Sequence, residues 1–314
     1  MIARLLRLVA ANGRLVLVAG LVCGVAFPGL AAAMKPYLPE IVAGLLFIAA
    51  FRIGPREAAG KLRDLGSGAG IVGLYQLLLP LGLALGFLFL GISAPLAAGL
   101  VLMAAAPSIS GSPNLTLLAG SDPAPALRLL LMGTAAVPLT VVPVFWATPA
   151  LGDAGVVAAA ALRLLILIVG AGAAAFVLRR LILKTPTPEA LQVVDGISAL
   201  ALAVAVIGLM AAVGPALREE PLRLVGTLAF AFAANFGLQI AAFVVLGALG
   251  VSRERVAFSI VAGNRNIALF LTALPAAITD PLLLFIGCYQ IPMYLTPLIL
   301  GRLYAGAKAD GPRA

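Results

Sequence analysis

Read for its apolar positions, the chain is a succession of membrane-length hydrophobic windows separated by short basic or turn-forming segments. Windows of about 20 apolar residues, enough to cross a bilayer as helix, fall at 15–33, 38–53, 68–91, 94–118, 124–147, 154–178, 190–213, 223–249, 255–275 and 281–303. The pattern predicts an all-α polytopic membrane protein with ten transmembrane helices. The second window is short, and the fourth and ninth are interrupted. Span four contains APSISGSPN at 106–114, with prolines, a glycine, three serines and an asparagine. Span nine contains AGNRN at 262–266, an arginine between two asparagines inside an otherwise apolar run.

The two interruptions are each fourth in a group of five spans. Five is odd, so the second group enters the membrane in the opposite sense to the first. The expectation is an inverted repeat within a single membrane domain over 1–314, with one repeat at about 15–147 and the other at about 154–303. Interrupted helices at matching positions of inverted halves point to a transporter's midplane site. A break frees backbone N–H and C=O groups, which hydrocarbon cannot satisfy, so broken backbone must line a cavity or bind something.

Charge orients the spans. The lysines and arginines number 21, against 12 acids, for a net charge of +9. With the N-terminus inside, the inner segments hold Arg4, Arg7, Arg14, Arg52, Arg56, Lys61, Arg63, Arg179, Arg180, Lys184, Arg253, Arg255, Arg302, Lys308 and Arg313. The outer ones hold only Lys35, Arg218 and Arg223, and Arg128, Arg163 and Arg265 fall within spans. This is the positive-inside bias, so both termini are expected to be cytoplasmic, in a bacterial inner membrane. Topology thus accounts for the basic balance without nucleic acid as a partner. Hydrophobic residues make up 63% of the chain and charged ones 11%, against about a quarter charged in soluble domains, which leaves no length for a large soluble domain.

Residue usage excludes several chemistries. With no histidine, neither a histidine proton relay nor His-ligated haem or zinc is available. Cys23 and Cys288 lie in apolar runs and form no metal-binding pattern. The stretch MIARLLRLVAANGRL has spread arginines and no small-residue cleavage site, and reads as an uncleaved amphipathic interface helix rather than a signal peptide.

Ten spans, a five-plus-five repeat, PSISGSPN in span four and GNRN in span nine together resemble the bile acid:sodium symporter family. The resemblance implies crossing broken helices four and nine in a core of spans 3–5 and 8–10, and a panel of spans 1, 2, 6 and 7. It also implies transport of organic anions with sodium bound behind the crossing. The sodium ligands are where this chain departs. Where the family's ninth helix offers an acid and a glutamine, this sequence has Val261 and Arg265; Asn266 matches, Ser112 and Asn114 retain oxygen donors, and Gln76 stands near Pro80 where the family has a glutamine. Gln76, Ser112, Asn114, Arg265 and Asn266 therefore mark the ion-site region, and no cofactor other than a doubtful sodium ion is expected.

Arg265 lies about ten residues, or roughly 15 Å, from either end of its span, too deep for easy snorkelling. The expectation is that its guanidinium occupies the space of a sodium ion. Its five donors would satisfy carbonyls freed by the breaks, with Ser108, Ser110, Ser112 and Asn114 facing it. These four, with Asn264, Arg265, Asn266 and Gln290, form the expected substrate-binding set. Arg128 is expected to snorkel. Arg163 and Asp195, on neighbouring helices, could pair, and Asp195 is the one carboxylate clearly within a span, hence the single candidate proton carrier. Asn235 and Gln239 either face substrate or tie helices together.

A cationic centre between half-helices suits a carboxylate, so the expected function is secondary transport of a small organic anion by alternating access. Proton coupling and uncoupled exchange stay open. So do a metalloid or auxin-type efflux carrier on the same scaffold and a membrane sensor that only binds its ligand. An intramembrane enzyme is not expected: nucleophile–base pairs or paired acids are missing from the spans. The oligomeric state is open.

Overall fold

The computed structural model describes residues 1–58, 66–92, 94–183 and 186–306. Lys61, Arg63, Lys184, Lys308 and Arg313, counted above among the inner cations, lie outside the described residues. Every regular element among the described residues is a helix, and the one β-bridge joins two single residues.

In chain order the helices are α1 (Ile2–Ala11), α2 (Gly13–Ala26), α3 (Pro28–Met34), α4 (Leu38–Ile53), α5 (Gly66–Gly73), α6 (Leu79–Phe89), α7 (Pro95–Ala105), α8 (Ser112–Leu118), α9 (Ala124–Trp146), α10 (Ala154–Ile182), α11 (Pro188–Leu209), α12 (Val213–Glu219), α13 (Pro221–Ala248), α14 (Arg255–Gly263), α15 (Ala276–Thr279), α16 (Leu283–Ile299) and α17 (Gly301–Gly306). A π turn at Leu74–Leu78 joins α5 to α6, and a 3₁₀ helix at Ile267–Thr272 follows α14. Proline opens α3, α7, α11 and α13, where its missing N–H costs nothing. Asp153 caps α10 by accepting from the Val156 N–H at 2.9 Å, and Thr187 caps α11 through the Ala190 N–H.

Seven helical stretches among the described residues are long and apolar enough to cross a membrane, or eight if the bent pair α1–α2 is one span. The chain is a multi-pass helical membrane protein. The first expected window, 15–33, is corrected. Phe27 is non-helical because it precedes Pro28, so α2 stops at Ala26 and residues 28–34 run on into α4 as one stretch, Pro28–Ile53.

Packing places two short helices at the centre. Eight of the 11 residues of α7 are buried, as are Val256–Gly263 of α14, whereas α10 turns Leu165, Ile166 and Val169 outward as a lipid-facing helix would. Around them α13 packs on α14 and α16, α9 on α14 and α10, α4 on α10 and α11, and α11 on α2.

Candidate functional site

Each central helix is broken in mid-course, and the breaks meet. Helix α7 ends at Ala105, Ala106 is extended, and α8 begins at Ser112. Helix α14 ends at Gly263 and the chain coils again at Ile267. Between them Ser108 and Arg265 form an antiparallel bridge, with the Ile109 N–H donating to Asn264 O at 3.1 Å and the Asn266 N–H to Pro107 O at 2.8 Å.

That pairing decides which carbonyls are left over. In a continuous helix Ala262 O would accept from Asn266 N–H, but that donor is spent on Pro107. Ala106 O likewise has no helical donor ahead of it across the break. The Arg265 guanidinium takes both: Nε donates to Ala262 O at 3.1 Å and one Nη to Ala106 O at 3.1 Å. Its other Nη donates to Tyr75 O at 3.2 Å. The Tyr75 carbonyl is free for a local reason. In the π turn the Leu79 N–H goes back to Leu74 O, and the next residue, Pro80, has no N–H to give. The Tyr75 ring also lies 5.2 Å from the guanidinium carbon, within cation–π range. Two helix C-termini, each carrying partial negative charge, thus converge on one buried cation that is 1% exposed.

A further carbonyl at the second break, Gly263 O, accepts from Asn235 Nδ2 at 2.5 Å and from the Tyr289 hydroxyl. Tyr289 in turn accepts the Arg265 N–H at 3.2 Å. Behind them Gln239 Nε2 donates to Asn235 Oδ1 at 2.7 Å and Thr296 Oγ1 at 3.1 Å, and Tyr304 donates to Gln239 Oε1 at 2.8 Å. The carbonyls named here are thus satisfied within the protein, as low dielectric demands.

The structure sorts the expected residues into two kinds. Ser108 bonds Ser112 through their hydroxyls at 2.7 Å, Asn264 donates to Ile260 O, Gln290 to Ile286 O and Gln76 to Gly133 O, all buried. Ser110, Asn114 and Asn266 are exposed or half-buried, and among the described residues their side chains find no partner. The guanidinium bonds backbone carbonyls as expected, two of them freed by the breaks, but the side chains expected to face it are corrected: none of the four bonds it, and Ser110 and Asn114 are exposed. A narrow crevice too tight to admit water does bring Arg265 together with Ser108, Gln76, Val261 and Tyr75. Tyr75 and Tyr289 were not in the expected set; the one local signal for the first is Pro80, five residues on.

Two charge assignments also change. Arg163 donates to Ala273 O at 3.2 Å, so it does not pair with Asp195. Asp195 holds both oxygens against Arg52, one at 3.2 Å, with about a third of its side chain exposed. Arg128 reaches Glu254 at 3.4 Å rather than snorkelling. Asn235 and Gln239 tie α13 to α14 and α16. Among the described residues no cluster of three or more metal-ligating side chains occurs.

The Arg52 pair makes a prediction. Asp195→Asn is expected to cost at most about 1 kcal/mol of stability, as exposed ion pairs do, and to leave the pH profile of any transport unchanged. A flattened profile in reconstituted vesicles would instead make Asp195 the proton carrier.

No protein-family model matches the chain, and no curated protein matches it.

Proposed function

We propose that the chain is a secondary transporter of a small organic anion, built as a divergent relative of the bile acid:sodium symporters, in which Arg265 replaces the bound cation. The observation that carries this reading is the pairing of two broken helices around a guanidinium held by their own C-terminal carbonyls. Irregular backbone at membrane depth is tolerated where it is buried in protein or lines a cavity, and discontinuous helices of this kind frame transporter sites. Counting α2 and each of the two broken helices as one crossing takes the seven long stretches to ten, with α2, α4, α10 and α11 read as the panel and the other spans as the core.

On this reading the expected residues divide labour. Arg265 is the fixed positive charge behind the crossing, and Ser110, Asn114 and Asn266, whose polar groups are uncommitted, are the ones that meet the anion. Sodium has little left to do, because the carbonyls that would coordinate it already accept from the guanidinium.

The test is counterflow of labelled small carboxylates from vesicles containing the purified protein, with and without a sodium gradient. Accumulation that is indifferent to sodium is the expected result. Equilibrium binding without counterflow would instead make the protein a receptor, and strict sodium dependence would return it to the ordinary pattern of the symporters.

A further inference from the structure

Helix α1 is too short to cross a bilayer: ten residues reach about 15 Å, half the hydrocarbon thickness. It meets α2 at 84°, so it lies across the direction of the spans rather than along them. Its surface is divided three ways. Leu6, Val9 and Ala10 are partly buried on the side toward the protein. There the Leu6 carbonyl sits so close to Gly196 of α11 that any Cβ at that position would overlap it. Leu5 and Leu8 form a second face, 60% and 61% exposed, and Ile2 is 73% exposed at the start of the helix. Arg4 and Arg7 stand on a third, exposed, with Arg14 exposed at the second residue of the following helix.

An apolar face beside a basic one, on a helix held flat, is how interfacial helices seat themselves at the boundary of headgroups and acyl chains. The charge balance sharpens the match. The first acidic residue of the chain is Glu40, so α1 and α2 carry no carboxylate. The acids that α11 brings nearby are Glu189, within electrostatic range of Arg7, and Asp195, already paired with Arg52. Arg4 and Arg14 have no carboxylate partner among the described residues.

We propose that α1 is a binding surface for anionic phospholipid: Ile2, Leu5 and Leu8 enter the acyl boundary, and Arg4, Arg7 and Arg14 hold headgroup phosphates. Because Gly196 admits the α1 backbone directly against α11, the attraction of the leaflet is transmitted to one of the long helices of the bundle. This inference does not depend on what the protein transports.

Hydrogen exchange of the full-length protein, in bilayer discs of phosphatidylcholine alone or mixed with phosphatidylglycerol, tests it. Exchange of the α1 amides should slow on the order of tenfold in the anionic discs, the effect of one to two surface cations, and added salt should erase the difference. Arg4→Gln with Arg7→Gln and Arg14→Gln should remove the lipid dependence while leaving protection of the long spans intact. Leu5→Asn with Leu8→Asn should unprotect α1 in both kinds of disc. Equal protection of α1 in the two lipids, a lipid dependence that survives the triple substitution, or full protection in the leucine variant would each overturn the proposal.

Discussion

Arg265→Ala is expected to destabilise the protein by about 3–5 kcal/mol, the cost of removing one member of a buried charged network, and to abolish transport. The substitution orphans the carbonyls of Tyr75, Ala106 and Ala262 together, and each unsatisfied buried group costs about 1–3 kcal/mol. Thermal unfolding in detergent measures the loss, and counterflow measures activity. Lysine should rescue poorly, since a point charge with three donors cannot reproduce a planar fork aimed at three acceptors. A second variant separates charge from function. Val261 lines the same crevice as Arg265 and Gln76, so Val261→Glu with Arg265→Gln puts an acid and an amide where the guanidinium now sits. That double variant is expected to recover part of the ligand binding, and to need sodium for it. Wild-type stability and activity in Arg265→Ala would show that the crossing does not depend on a cation.

The second large effect is expected at Gly263→Ala. Helix α14 approaches α13 there with nothing between the backbones: a methyl group would overlap the Asn235 carbonyl oxygen and the Gln239 side chain. Close approach at small residues is how membrane helices reach one another's polar groups. Pushing α14 away costs about 1–3 kcal/mol in overpacking. It also draws Gly263 O away from Asn235 and Tyr289, at about 1 kcal/mol for each hydrogen bond. Gly237→Ala is the control, on the same α13 but facing open space, where alanine should be neutral or slightly stabilising. The contrast in unfolding temperature between the two variants checks the argument, and equal behaviour would refute it.

The breaks were legible in the sequence because proline, glycine and clustered polar residues interrupt apolar runs, and few other signals are as direct. Their physical consequence, carbonyls needing a partner, was legible too, and so was Arg265 as the group to meet it. What could not be read was the identity of the carbonyls. Backbone acceptors have no residue type, and of the side chains expected to face the guanidinium Ser110 and Asn114 are exposed instead. Tyr75 was hidden for the same reason. Its contribution comes from a π turn after which Pro80 has no N–H to give the Tyr75 carbonyl. Arg163 and Asp195 looked like partners because their helices are sequence neighbours, yet adjacency in the chain does not fix rotation about a helix axis. Arg52, from α4, reaches Asp195 instead. The break at Phe27 was also present in the sequence, as the residue before a proline within a window that hydropathy alone ran together.

The carbonyls that Arg265 satisfies also set an order of biosynthesis. Tyr75 and Ala106 emerge from the ribosome long before residue 265 does, and chains assemble from the N-terminus onward. Until α14 arrives, the nascent protein holds a half-built membrane unit whose bent and broken backbone has nothing to bond. A chain cut short before Arg255 would lack the donors that Tyr75 O and Ala106 O accept from. One guanidinium thus joins the first half of the molecule to the second.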